Sequence, residues 1–423
     1  MKQYYPRIID ELLKKKLRTS GAVLLKGPKW CGKSTSASRI AKSIIFMQDP
    51  STREQNIALA KASPKIFLDK ETPLLIDEWQ TIPFIWDAIR FEIDQRNAFN
   101  QFILTGSSSP IETSKITHSG LGRITTLVMR PMSLYESRDS SGEYSIKDLF
   151  NGLYPSGAIS NHDILDYAYL ACRGGFPNVL ELEKEDSLEI SKNYFDSLVN
   201  QDFILNIKQD RDIQKFKLTL RSYARNIGTS CPLTTILKDV NSNNNLSISD
   251  STIYSYLKYL NDIYILDELN AWSPLLRSKV AIRTSPTHYF VDPSIATAAL
   301  DVTPFDLIND LKTFGFIFES MVIRDLKIYA ETNGASLYHY RDKNDFEVDA
   351  IIRFNNGKWA AIEIKLFDDE AIEKACKNLI KFKNNINSQK MKEPSFLMVI
   401  TGTKNAYRRE DGVFIVPIDC LKN

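Results

Sequence analysis

The sequence predicts an α/β protein of several domains, and three observations lead there. Between residues 22 and 134 short apolar runs, Ala22–Leu25, Leu74–Ile76, Phe102–Leu104 and Thr126–Val128, alternate with stretches of helical period, as in a parallel sheet. A glycine-rich stretch joins the first of these runs to a helix. From about Tyr289 to the end, strands and helices mix again and form a second α/β unit. At 423 residues the chain also exceeds what one hydrophobic core usually fills.

Composition narrows the class. Hydrophobic residues make up 43% and charged residues 25%, values of a folded globular protein. With 54 Lys+Arg against 52 Asp+Glu the net charge is +2, so any basic binding surface must be local. Five scattered cysteines without a CxxC pair suggest neither a disulfide framework nor a zinc site. Residues 1–20 lack the apolar core of a signal peptide, and no apolar run reaches the length of a spanning helix. A cytoplasmic protein without a membrane partner is expected.

The first domain, residues 1–140, carries the phosphate site. Gly27-Pro28-Lys29-Trp30-Cys31-Gly32-Lys33-Ser34 fits G-x-x-x-x-G-K-[ST], between a predicted strand and a helix beginning near Ser34 with Thr35 in its first turn. The glycines let backbone N–H groups wrap a phosphate at a helix N-terminus, where the dipole favours negative charge. A P-loop NTPase that binds ATP is therefore predicted. Lys33 is expected to reach the β- and γ-phosphates and Ser34 to hold Mg²⁺. Pro73–Glu78 reads as an apolar strand ending in two acids: Asp77 for the Mg²⁺ shell and Glu78 to orient the attacking water. Thr105, in a third strand that runs on to Ser108, suits sensing of the γ-phosphate. Arg123 follows the turn Ser119–Gly122 and is a candidate arginine finger; the same position also suits a surface arginine. Such a residue can come from a neighbouring copy, which would make the protein a homo-oligomer.

The polar stretch Ser137–Glu143 reads as a boundary. Residues 141–208 are expected to form a helical lid or linker, interrupted by Arg173-Gly174-Gly175-Phe176-Pro177. Residues 209–285 run helix, short helix, Asn-rich loop, helix, strand, the order of a winged helix-turn-helix. Thr252–Tyr259 would be its recognition helix, with Lys258, Arg221 and Arg225 able to meet DNA phosphates. Tyr254, Leu257 and Leu260 are expected in the core, and a winged helix that packs on a partner domain is the alternative.

Gly27–Ser34, Ile76–Gln80, Leu104–Ser108 and Gly122-Arg123 occur in this order, followed by Gly174–Pro177 and Leu275–Lys279. The set resembles the AAA-like ATPases that carry a C-terminal restriction-endonuclease-like domain of unknown function. The resemblance covers nearly the whole chain and implies an ATPase core, a winged helix and a nuclease-like end.

Residues 286–423 contain the acids that such an end requires. Phe346–Ile352 and Lys358–Lys365 are strand-like runs joined by Asn355-Asn356-Gly357, a hairpin turn signal. Pairing about Asn356 sets Asp349 opposite Glu363, with Lys365 on the same face and Ile362 and Ile364 toward the core. Opposed carboxylates call for a cation, and Asp349 with Glu363 could hold Mg²⁺ or Mn²⁺ while Lys365 orients a water. Glu319, on a preceding helix, could add a further acid. The arrangement is similar to the PD-(D/E)xK nuclease core. Two functions follow as expectations: an ATPase coupled to DNA binding and metal-dependent cleavage, or a nucleotide-controlled switch whose nuclease-like domain only binds a partner.

Overall fold

The structure, a computed structural model, describes residues 3–106, 119–203, 212–242, 247–274, 284–342, 344–386 and 391–423. Ser107, Ser108 and the stretch Leu275–Lys279, all part of the family resemblance, lie outside them. The chain divides into two compact units, Met1–Pro131 with Asn261–Ile265, and Met132–Leu260 with Leu266–Asn423.

The first unit holds helices α1 (Ile8–Leu17), α2 (Lys33–Ile40), α3 (Arg53–Ala62), α4 (Pro64–Leu68) and α5 (Ile85–Arg96) around five strands. The strands are β1 (Ala22–Lys26), β2 (Ser43–Phe46), β3 (Leu74–Asp77), β4 (Phe102–Gly106) and β5 (Ile124–Val128). They lie side by side as β2-β3-β4-β1-β5, every pair parallel. Alternation along the strands builds two cores. Ala22, Leu24, Leu74, Ile76, Phe102 and Leu104 join Ile85, Ile89 and Ile93 of α5 on one face. Val23, Leu25, Leu75 and Ile103 join Ile9, Leu13 and Leu17 of α1 and Ala37 of α2 on the other. Helices on both faces are what near-continuous apolar strands require. Only β2 was not anticipated; it is an edge strand whose residues Ile44 and Phe46 stay exposed, so its sequence lacks the buried run of its neighbours.

The second unit opens with β6 (Tyr144–Ser145), α6 (Ile146–Phe150), β7 (Ala158–Ile159), α7 (Ile164–Arg173) and α8 (Lys184–Ser197). The expected lid is here corrected. Its residues are built into the second unit: β7 pairs with β12 (Asn405–Arg408), β6 pairs with β14 (Leu421–Lys422), and the Phe150 ring packs on Phe354 and Phe396. The physical reason is that its apolar side chains find partners in the C-terminal sheet, which short polar segments could not advertise in advance.

Three helices of the expected kind follow, α9 (Ile213–Arg225), α10 (Leu233–Asn241) and α11 (Asp250–Asp262). Isolated antiparallel bridges then join Leu266 to Phe290 and Leu269 to Thr287. Leu260 is buried as expected, but Tyr254 is 64% exposed and corrects the core assignment. Ile253, Tyr256 and Leu260 form the buried stripe, and Tyr254 falls on the opposite side of that period.

After α12 (Pro293–Leu300) and α13 (Pro304–Asn309) the chain runs α14 (Leu311–Thr332), β8 (Ala335–Arg341), β9 (Glu347–Phe354), β10 (Trp359–Lys365), α15 (Asp369–Asn385), β11 (Leu397–Thr401), β12 and β13 (Phe414–Pro417). The sheet order is β7-β12-β13-β11-β10-β9-β8. β8, β9 and β10 form antiparallel neighbours, and α15 crosses over to β11, which pairs parallel with β10. Trp359, Ala361, Val348 and Ile351 pack with Ile372, Leu379 and Phe382 of α15.

Candidate functional site

The phosphate loop takes its shape from two glycines. Gly32 has φ +99 and caps α2, whose N-terminus receives no side-chain hydrogen bond. Gly27 approaches the chain so closely that a Cβ there would lie 2.1 Å from the Met129 carbonyl oxygen. The loop is held from outside by Arg7, which donates to the Cys31 carbonyl at 2.7 Å and, through its other terminal nitrogen, to the Arg130 carbonyl at 2.7 Å. Pro28 and Cys31 are buried, whereas Lys29, Trp30 and Thr35 are exposed. Lys33 is buried and donates to the carbonyls of Gly27 (3.0 Å) and Pro28 (2.7 Å), folded over its own loop.

Parallel pairing sets Asp77 beside Thr105 in register, and the side chains meet: the Thr105 hydroxyl donates to Asp77 Oδ1 at 2.6 Å. The Ser34 hydroxyl donates to the same oxygen at 2.5 Å. Three stretches far apart in sequence thus converge on one carboxylate. Ser34 and Asp77 present oxygen donors alone, the set that suits Mg²⁺. Glu78 leaves β3 with φ +55, in the left-handed region, and accepts from the Gln80 amide. Burial pushes its carboxyl above the ordinary range, while Gln80 and Lys33 pull it back.

Arg123 stands apart. It precedes β5, whose Ile124 pairs with Ala22 at the start of β1, the end of the sheet opposite the phosphate loop. There it donates to Asp94 Oδ1 at 2.7 Å. Within one chain it is not brought to the phosphate site.

The second candidate site lies at the end of the β9–β10 hairpin. The observed register, Ile362 with Ala350 through Trp359 with Arg353, is symmetric about Asn356 as expected. Lys365 Nζ lies 2.9 Å from Asp349 Oδ2 and 2.9 Å from Glu363 Oε2. Asp349 also accepts from the Ile364 N–H at 2.7 Å. Glu363 is not on an open face: α15 covers it, and Asn378 donates to its Oε1 at 2.5 Å. Glu319, on α14, accepts from the Tyr289 hydroxyl at 2.5 Å. Glu319 and Asp349 line a cavity of about 260 Å³ together with Thr229, Ser230, Tyr289 and Arg341. Ile362 and Ile364 are buried, as expected.

Burial raises Lys365's cost of charging, yet Asp349 and Glu363 overcome it and hold the ammonium protonated. Burial first, and Asp349 second, push both Glu319 and Glu363 up to about 8. Lys365 occupies the space between the two carboxylates, and among the described residues no three His, Cys, Asp or Glu side chains are grouped to hold an ion. In this arrangement Lys365 is the counter-ion that Asp349 and Glu363 share.

A stability prediction follows. Unfolded, Glu319 ionises near its ordinary value of 4.5; folded, it stays protonated to about 8. Folded-state stability from this group is therefore complete below pH 4.5 and falls as pH rises toward 8. Glu319→Gln, which keeps an acceptor for Tyr289, is expected to raise the thermal midpoint at pH 8 and to change it far less at pH 4. Thermal melts of both chains across that range check it.

Sequence reasoning missed Arg7, Gln80, Tyr289 and Asn378. Of these only Gln80 had a local signal, its place two residues after Glu78.

A parallel sheet whose first strand enters a phosphate loop, with a strand-end aspartate bonded to that loop's serine, is the arrangement of a P-loop nucleotide-binding domain. Residues 19–137 match the AAA domain family. Residues 164–306 and 314–421 match two domains of unknown function, DUF8612 and DUF4143. The uncharacterized protein MJ1544 of Methanocaldococcus jannaschii is 26% identical over 352 residues, 79% of this chain and 73% of that protein. Rv2008c of Mycobacterium tuberculosis, also uncharacterized, is 21% identical over 372 residues, 87% of this chain and 75% of that one. Among solved structures, the Walker-type ATPase PABY2304 of Pyrococcus abyssi aligns with TM-score 0.43 and 15% identity, over 70% of this chain and 96% of that one. The ORC2 protein of Aeropyrum pernix aligns with TM-score 0.32 and 11% identity, over 74% and 97%. No described helix is long and apolar enough to cross a membrane.

Proposed function

We propose that the chain binds ATP at Gly27–Thr35 and hydrolyses it. The observation that carries this is the meeting of Ser34 and Thr105 on one oxygen of Asp77. On this reading the backbone from Gly27 to Gly32 wraps the phosphates and Lys33 swings from its own carbonyls onto them. Ser34 and Asp77 would hold Mg²⁺, which would supply neutralisation of the phosphate charge there. Thr105 reports the γ-phosphate, and Glu78 takes a proton from the attacking water. Glu78→Gln is expected to leave ATP affinity within about twofold and to lower turnover by about 10²-fold. Equilibrium binding and phosphate release on the same preparation check it; equal losses in both would remove Glu78 from the chemistry.

A second reading, for residues 286–423, is favoured by the succession α14, β8, β9, β10, α15, β11 and by the convergence of Asp349, Glu363 and Lys365. It makes this part nuclease-like, with nucleic acid as the partner and the exposed Tyr254 and Lys258 of α11 as a contact in a winged-helix arrangement. Arg225 is less suited, because Asp239 pairs it at 3.0 Å. The internal Lys365 counter-ion equally supports a domain that binds without cutting. Incubating the protein with DNA and RNA, with and without ATP and divalent ions, separates the two. Cleavage lost in Asp349→Ala supports a nuclease; intact ATPase activity with every substrate uncut supports the switch.

A further inference from the structure

Gln80 lies inside a short 3-10 turn, Trp79–Thr81, that begins directly after Glu78. Because Glu78 is left-handed, the chain doubles back at the end of β3 and returns residue 80 to the side of residue 78. The Gln80 amide nitrogen donates to Glu78 Oε2. An ionised carboxylate only accepts, so the nitrogen must face it and the amide oxygen must face away. That oxygen is buried, and among the described residues no donor reaches it. It rests against Gly106, where a Cβ would come within 2.7 Å of it and 3.3 Å of the Trp79 indole nitrogen. Gly106 pairs with Lys26, the residue immediately before the phosphate loop. Buried polar atoms in folded proteins are nearly always bonded, so an amide oxygen with no donor among the described residues at this end of the sheet calls for one.

We propose that Gln80 is the positioning residue for ATP hydrolysis: its amide nitrogen holds the Glu78 carboxylate, and its amide oxygen is the second acceptor for the attacking water. The inference rests on the reading that this loop hydrolyses ATP. Water has two protons to donate. With one directed at Glu78 and the other at Gln80 Oε1, its free electron pair faces the γ-phosphorus. The water oxygen then bonds to that phosphorus as the bond to the β–γ bridging oxygen breaks. The electron pair of the broken bond leaves with ADP, and one water proton passes to Glu78. Gln80 exchanges no proton; it restricts where the water and the carboxylate can be, which is the effect that orientation contributes to an in-line displacement. Gly106 is explained by the same geometry, since any larger residue would displace the amide.

The test uses the full chain with Gln80→Met, which keeps the volume and loses both polar contacts, and Gln80→Glu, which keeps acceptors and loses the donor. Both are expected to lower kcat by about tenfold or more while KM and the measured Kd for ATP move less than twofold and the melting midpoint without nucleotide stays in place. In a Glu78→Gln background, Gln80→Met is expected to cost clearly less than it does in the unsubstituted chain, because one of its two contacts is to Glu78. A kcat unchanged in Gln80→Met, or losses that simply multiply in the double variant, overturns the inference while leaving the ATPase reading in place. An unsubstituted chain that binds ATP and never turns it over overturns the ATPase reading and this inference with it.

Discussion

Lys33→Ala is expected to abolish ATP turnover, a loss of about 10³-fold or more, and to weaken ATP binding alongside it. Two effects add. The buried ammonium is positioned to swing from the loop interior onto the phosphates, whereas Lys29, the loop's other lysine, is exposed. It also donates to the Gly27 and Pro28 carbonyls, so its removal leaves two buried acceptors without their donor and loosens the loop that wraps the ligand. The contrast with Glu78→Gln is the diagnostic part. Loss of the cation weakens the bound state and the transition state still more, so Kd and kcat both suffer, whereas loss of the carboxylate touches the chemical step alone. Titration with labelled ATP, then phosphate release at saturating ATP, distinguishes them; unchanged turnover in Lys33→Ala removes the P-loop assignment.

The phosphate site was legible because its chemistry forces residue types into a fixed local spacing. Gly27, Gly32, Lys33 and Ser34 fall within eight residues of one loop, and an apolar strand ending in acids is nearly as local a signal. What joins them is not local: the Ser34–Asp77–Thr105 contact depends on strand order, β3 beside β4 beside β1, which spacing along the chain does not encode. The C-terminal hairpin was legible for a similar reason, since Asn355-Asn356-Gly357 sets a register that then places every residue of both strands. Alternation suggested an open face for Glu363 and could not foresee α15 closing over it, because the covering helix lies beyond the strand and its Asn378 looks like any polar helix residue. Residues 141–208 read as a lid because helical period reports an apolar face without naming what it faces; the two-residue strands that bind them to the C-terminal sheet are too short to read. Arg123 shows the converse limit of proximity in sequence. It follows the sensor strand closely, yet the parallel crossover returns the chain to the far end of the sheet before β5 begins.

Arg324→Met is expected to destabilise the second unit by about 3–5 kcal/mol, the cost of breaking a buried ion pair from one side. Arg324 is 3% exposed and bonded to two aspartates, Asp325 through Nε at 2.8 Å and Asp292 through Nη1 at 3.0 Å. Each aspartate does a second task. Asp292 caps α12 and accepts from the Gly175 N–H at 2.9 Å, and Asp325 accepts from the Leu134 N–H at 2.9 Å. One guanidinium therefore secures four separated stretches of chain, and the glycines of Arg173–Pro177 acquire a structural meaning. A Cβ on Gly174 would meet Asp292 at 2.3 Å, and one on Gly175 the Met132 carbonyl at 2.2 Å. The penalty should depend on pH. Burial already lifts Asp325 to about 6 against the pull of Arg324, and removing that pull lifts it further. A carboxyl raised in the folded state contributes stability that is present below its unfolded value of 3.8 and is lost as pH rises through the folded one. Arg324→Met should thus cost less at pH 5 than at pH 8, and Asp325→Asn added to it should recover part of the loss at pH 8 and little at pH 5. Denaturant melts of the three chains at both pH values, with a probe confined to the second unit because two units need not unfold together, decide the matter. A pH-independent penalty would place the cost in the lost packing of the arginine stem instead of the stranded charge.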